Sequence, residues 1–136
     1  MLEIACIAMA IYFEARSEPL DGQVAVANTI MNRVESSKFP DTPCEVVQQG
    51  RTWNGHMLRN QCHFSYYCDG KPEVIVDQGA YTLALSIAVN WANLVDITSG
   101  ATYYHRDDVH PYWIESLNIS RKIGRHIFYT DRVSQN

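Results

Sequence analysis

The chain has 136 residues, 46% hydrophobic and 19% charged, with a formal net charge of -4. That balance excludes a disordered chain, and the length fits one domain, residues 1–136, able to bury its own core. Lys and Arg are outnumbered and scattered except around Arg121 to Arg125, so the basic face that a duplex-binding protein turns to phosphates is missing and nucleic acid is excluded as a partner.

Residues 2–16 read as a helix that is apolar nearly all round, the pattern of a helix buried inside a domain, with Glu14 at its C-terminal end. Ala8-Met9-Ala10 resembles a signal-peptide cleavage site, but no Lys or Arg precedes it and Glu3 stands where the positive charge belongs. The run is also too short to span a bilayer. The expectation is therefore a chain without a signal peptide or membrane insertion. Ser17-Glu18-Pro19 breaks the helix, and Leu20, Val24, Ala27, Met31 and Val34 form the stripe of a second one, whose other faces carry Gln23, Asn28, Asn32 and Arg33. A third, short helix is predicted from a cap at Thr42, with Pro43 in first position and Glu45 completing a capping box, and it stops at Gly50.

Residues 51–61 show no period and read as a polar surface loop around Trp53, Asn54 and Gly55. His63 to Tyr67 reads as a strand entering a turn at Asp69-Gly70. Asp77 caps a long helix through Leu83, Ile87, Trp91 and Leu94 to about Ile97, expected to be the central core helix. Ala101 to His105 and His126 to Tyr129 read as short strands, separated by a helical turn around Trp113 to Leu117. Four helices and a few short strands predict an α+β domain, its small sheet packed beside a helical core and its substrate cleft between the two.

Cys6 lies in line with Leu2, Met9 and Phe13, which predicts a buried free thiol on the core face, while Cys44, Cys62 and Cys68 sit nearer loops where a bridge can form in an oxidising compartment. All four allow three pairings, and none follows from the sequence. No paired CxxC is present, and His105, His110 and His126 do not share a helix face, so neither a metal nor any other cofactor is expected.

Glu14 is the first catalytic candidate. A carboxyl at the end of an apolar helix loses solvation, its pKa rises, and it keeps a proton to donate near neutral pH. An ion pair with Arg16, or acceptance of backbone N–H groups at the next helix start, explains the same residue, and periodicity does not choose between these readings. The surrounding residues do. Ala10 to Pro19, Gly22-Gln23, Asn32-Arg33-Val34, Phe39-Pro40, Cys44 to Val47, Cys62 to Ser65, Cys68-Asp69-Gly70, Gly100 to His105, Val109, Pro111, Trp113 and Ile123 to Tyr129 follow in an order that resembles the SleB/CwlJ-type cell wall hydrolases of spore-cortex lytic enzymes and phage lysins. His63 and Tyr103 depart from that pattern, which usually has Gln and His at these positions.

The resemblance implies a lysozyme-like fold, a mainly helical core with a small antiparallel sheet beside the cleft. It also implies cleavage of peptidoglycan between N-acetylmuramic acid and N-acetylglucosamine, with Glu14 as the acid. Spore-cortex members act as lytic transglycosylases, giving 1,6-anhydromuramic acid. A hydrolytic muramidase instead needs a second carboxylate, for which Glu18, Asp69, Asp107 and Asp108 are candidates. A non-catalytic peptidoglycan-binding module is the alternative of a different class. Ser65, Tyr66, Thr102, Tyr104 and Tyr129 offer hydroxyls to the sugar, Gln23 and His105 further polar groups, and Phe64, Tyr66, Trp53 and Trp113 rings for stacking; packing within the sheet is the competing role for the strand residues among them. The chain is expected to act as a monomer on the bacterial wall, in periplasm or outside the cell, after release from the cytoplasm as a phage lysin.

Overall fold

The computed structural model describes residues 2–131. An uninterrupted run without Gly or Pro forms α1, Leu2–Ala15, and Ser17-Glu18-Pro19 ends it. Helix α2, Leu20–Val34, starts directly after Pro19, with Asp21 in its first turn and Arg33 in its last, each matched to the helix dipole. Gly22 lets this corner close, since a side chain there would meet Glu18 Cβ at 2.9 Å. Helix α3, Pro43–Val47, is capped as its sequence predicts: the Thr42 hydroxyl accepts from Glu45 N–H and donates to its carboxylate. Helix α4, Gln78–Val89, is capped by Asp77 and ends earlier than its stripe of apolar residues suggests, at Asn90, with Trp91–Asn93 continuing as a 3-10 turn.

The central element is α1 and not α4. Ile7, Ala8, Ala10, Ile11 and Tyr12 are fully buried, with α2, α3 and α4 packed around them, whereas α4 buries only Ala84, Ile87 and Ala88. The Tyr12 hydroxyl accepts from the backbone N–H groups of Val76 and Asp77, tying the start of α4 to the core.

Residues 51–61 are not a loop. Strands β1, Gly50–Trp53, and β2, His56–Cys62, form an antiparallel hairpin with Asn54-Gly55 at its tip, both at positive φ (52° and 79°) as a two-residue turn of this twist requires. Nearly every residue of this arm is exposed on both faces, so no alternation marks it in the sequence. His63 to Tyr67 is likewise not a strand, because Ser65–Cys68 winds into a 3-10 turn that buries Tyr66 beside Phe64.

The second sheet has the antiparallel order β3 (Tyr103–Arg106), β5 (His126–Asp131), β4 (Leu117–Ile123). Its β4 strand is absent from the sequence reading, which has only a helical turn around Trp113 to Leu117 in that region, where the structure has the 3-10 turn Tyr112–Ser116. The sheet packs on α2 through a small apolar cluster of Ala25, Ala101 and Phe128. The polar face of α2 holds the segment that feeds β3: Asn28 pairs with the backbone of Val95 and Ile97, Asn32 donates to Ala101 O, and Arg33 Nε donates to Thr102 O. These bonds fix where Tyr103 and Tyr104 point.

Cys6 is not a free thiol. It bridges to Cys44 at the start of α3, and Cys62 bridges to Cys68.

Candidate active site

Glu14 occupies the last turn of α1, where no basic side chain offsets the negative end of the helix dipole. Glu14 is half-buried as a residue, and its carboxyl lies in a pocket of about 460 Å³ between the helical core and the sheet. Tyr104, on β3, reaches across and donates its hydroxyl to Glu14 Oε1 at 2.7 Å. Burial pushes the Glu14 pKa up, against the smaller opposing pull of the Tyr104 bond and of the Arg33 charge. Burial, and then the nearby Glu14 charge, also raise the Tyr104 hydroxyl well above its ordinary range, so Tyr104 is a fixed donor and not an acid.

The Tyr104 bond favours the ionised carboxylate, because a hydrogen bond to the charged form stabilises it. Replacing Tyr104 by Phe is therefore expected to raise the Glu14 pKa further, read from the carboxyl ¹³C shift against pH. An unchanged or lower midpoint would show that Tyr104 does not hold the carboxylate.

Ser65 and Tyr66, carried by the 3-10 turn, line the pocket opposite the sheet. Tyr66 is 8% exposed and stacks on Phe13 with centroids 4.9 Å apart, which sets its hydroxyl facing Glu14's surroundings. Its pKa is raised by burial first and by Glu14 second. Arg106 and Arg125, not singled out from sequence as contacts, line the same pocket, as does His126. His126 is 2% exposed, its Nδ1 has no partner among the described residues, and burial lowers its pKa, so it stands as a neutral ring 4.8 Å from that of Tyr104.

The other candidates fall elsewhere. His105 and Tyr129 point to the opposite sheet face from Tyr104, as their register dictates. His105 Nδ1 donates to Arg106 O, and Nε2 accepts from the Tyr129 hydroxyl at 2.8 Å, while Trp113 closes over both rings. Thr102 is buried, and its hydroxyl oxygen has no partner among the described residues. Phe64 is 1% exposed inside the core, so its face is closed to a sugar, and it serves as packing behind Tyr104. Gln23 is buried and donates to Glu18 O, bracing the corner between α1 and α2. Trp53 stands 69% exposed near the tip of the hairpin, away from these pocket-lining groups.

Of the four further carboxylates, Glu18 and Asp69 line the pocket. Each is already engaged. Glu18 Oε1 accepts from Arg125 N–H at 2.7 Å, in space left free because Gly124 has no side chain, and Asp69 Oδ1 accepts from Lys71 N–H at 2.9 Å. Asp107 pairs with Arg125 and Lys122, and Asp108 with Arg106, on the surface. Among the described residues no group of three or more His, Cys, Asp and Glu is arranged to hold a metal ion.

Residues 17–129 match the Cell Wall Hydrolase family. The chain is 35% identical over 127 residues to the spore cortex-lytic enzyme of Bacillus cereus, an alignment covering 93% of this chain and 43% of that protein. It is 31% identical over the same length to the spore cortex-lytic enzyme of Bacillus subtilis strain 168, of which it covers 37%. The chain thus spans less than half the length of these curated relatives. Among solved structures, the catalytic domain of the germination-specific lytic transglycosylase SleB from Bacillus anthracis superposes with a TM-score of 0.68 at 32% identity, covering 94% of this chain and 93% of that one. The catalytic domain of Bacillus cereus SleB gives 0.66 at 33%, covering 94% and 89%.

Proposed function

The chain belongs to the Cell Wall Hydrolase family, and from that premise we propose that it cleaves peptidoglycan glycan strands beside N-acetylmuramic acid as a lytic transglycosylase, with Glu14 as general acid and then base. The observation that carries the reading is Glu14: a half-buried residue, its pKa raised, its carboxyl held by Tyr104 at 2.7 Å and open to a pocket large enough for a sugar ring.

In the reaction, protonated Glu14 gives its proton to the glycosidic oxygen as the C1–O bond breaks. The resulting carboxylate, stabilised by the Tyr104 hydroxyl, takes the proton of the muramic C6 hydroxyl as that oxygen bonds C1. The glycosidic bond is exchanged for an internal one, no water is consumed, and Glu14 ends protonated for the next turn. One carboxylate suffices. A muramidase would need a second, for which the pocket offers Glu18 and Asp69, each with one oxygen accepting a backbone N–H. One of the solved structures similar to this chain is named as a lytic transglycosylase.

Ser65, Tyr66, His126, Arg106 and Arg125 are the groups we assign to the sugar in this pocket. The two disulfides suit work at a wall outside the reducing cytosol. Action as a monomeric single domain, delivered as a phage lysin, belongs to the same proposal. The test is digestion of purified peptidoglycan, with the muropeptides identified by mass spectrometry. Products one water lighter than the hydrolytic ones, with muramic ends that borohydride does not reduce, are expected. Reducing muramic ends would make the protein a muramidase, and no digestion would leave a wall-binding module.

A further inference from the structure

Tyr104 also lines a second depression of about 610 Å³, together with Arg33, Arg51, His63, Tyr103 and Trp113 among others. The two sites differ in charge. Glu14, Glu18 and Asp69 line the first together with Arg16, Arg106 and Arg125, whereas among the described residues no Asp or Glu lines the second, which has two arginines. Tyr104 joins them, since it lines the second and donates to Glu14 in the first.

Arg33 is the unusual group. It is 5% exposed, yet no carboxylate pairs with it among the described residues. Its guanidinium is held in a cage of rings, 4.6 Å from Phe39, 5.2 Å from Tyr103 and 5.5 Å from Phe64. Nε is spent on Thr102 O at 2.7 Å and one Nη1 proton on His63 Nδ1 at 3.0 Å. An arginine cannot accept a hydrogen bond, so His63 Nδ1 must be the acceptor and its ring is neutral, with the proton on Nε2. Three of the five guanidinium N–H groups, both on Nη2 and one on Nη1, then have no partner among the described residues. Glu14 acts on this cation only through space, with no ion-pair contact, so the buried guanidinium still costs free energy, and the planar fork that remains matches a carboxylate. Half-buried Tyr103 and Trp113, their centroids 5.4 Å apart, supply aromatic surface of the kind that packs on a pyranose.

Resting on the reading of the chain as a peptidoglycan-cleaving enzyme, we infer that this depression is a sugar-acid site in which Arg33, with Arg51 at the rim, binds a carboxylate carried by a muramoyl residue. Two carboxylates have that chemistry: the lactyl group of a muramic acid without peptide, and the acidic residue of an attached peptide.

The test is an NMR titration of the whole chain, following the Arg33 Nε–H and His63 ring signals. Three probes are used: the methyl glycoside of N-acetylmuramic acid, its lactyl methylamide, and an N-acetylmuramoyl dipeptide ending in an acidic residue. A carboxylate probe is expected to bind about tenfold tighter than the amide, the size of one charge-assisted hydrogen-bonded pair in a partly wet site. Preference for the first probe places the lactyl group on Arg33, and preference for the dipeptide places the peptide there. Arg33→Gln should erase the difference, and Arg51→Gln, an exposed change that spares the fold, should reduce it. Equal binding of acid and amide by the wild-type chain, or equal loss of both in Arg51→Gln, overturns the site. Because binding is read without turnover, the two readings fail separately. Carboxylate preference without digestion of peptidoglycan removes the enzyme, and digestion without carboxylate preference removes the site.

Discussion

Glu14→Gln is expected to lower the rate of glycan cleavage by roughly a thousandfold or more, within the range a positioned proton donor contributes, and at the same time to make the protein more stable near neutral pH. The first effect follows because an amide can neither give nor take the proton, while its oxygen still accepts from Tyr104 and so preserves the geometry. The second is a matter of linkage. Burial raises the folded-state pKa of Glu14 above that of a free glutamate, so between the unfolded and folded values the native state holds more protons than the unfolded one. Stability from this group is then fully present below the unfolded pKa and is lost as pH rises through the folded pKa. Gln has no such dependence. Thermal denaturation of the two proteins should therefore agree most closely near pH 4 and diverge in favour of Glu14→Gln towards pH 8. A variant that is inactive and equally destabilised at both values would mean that Glu14 supports packing and carries no tuned proton. A variant that still cleaves would move the acid elsewhere.

The elements that were legible in the sequence carry their own punctuation. Pro19, the Thr42 to Glu45 capping box and Asp77 start α2, α3 and α4 where they were read, because caps act locally and need no knowledge of the partner surface. The β1 and β2 hairpin was hidden for the opposite reason. Neither of its faces is buried, so nothing selects apolar residues at every second position, and Asn54-Gly55 was the one signal for it. Strand β4 was hidden by a bulge between Ile119 and Arg121 and by an Ile119 that is 68% exposed. Cys6 packs on the core face as its spacing predicts, and only the folded approach of α3 reveals that Cys44 sits opposite it.

The site divides in the same way. Glu14 stood out because its motif is contiguous, and Tyr104 because it lies in a short strand block. Offering His105 and Tyr129 as sugar contacts together with Tyr104 left aside strand alternation, which turns Tyr104 one way and His105 the other. Arg106, Arg125 and His126 reach the pocket only once β5 has paired between β3 and β4, a non-local event that no window of sequence contains.

The two disulfides should have unequal consequences for stability, and the larger belongs to the cysteine that its spacing disguised. Cys6 and Cys44 are 38 residues apart, so their bridge removes from the unfolded chain a loop whose closure is worth about 4 kcal/mol in the chain-entropy description. Cys62 and Cys68 are 6 apart, and the same description gives about 2 kcal/mol. The longer bridge also has company: Glu3 Oε1 accepts from Cys44 N–H at 2.9 Å, so α1 holds the first turn of α3 by a covalent bond and a charged hydrogen bond at the same point. Replacing both Cys6 and Cys44 by Ala should lower the melting temperature by on the order of 10–15 °C for a domain of this size, about twice the loss on replacing Cys62 and Cys68. The short bridge should instead show itself in activity. It spans the 3-10 turn that presents Ser65 and Tyr66 to Glu14, and ties that turn to the base of the exposed hairpin. Opening it leaves the helical core intact but frees one wall of the pocket, so cleavage should fall at a temperature where the fold survives. Equal melting losses for the two pairs would mean that native-state packing, and not loop closure, sets what each bridge contributes, while activity that survives loss of the short bridge would show that the stack of Tyr66 on Phe13 is enough to hold the wall in place.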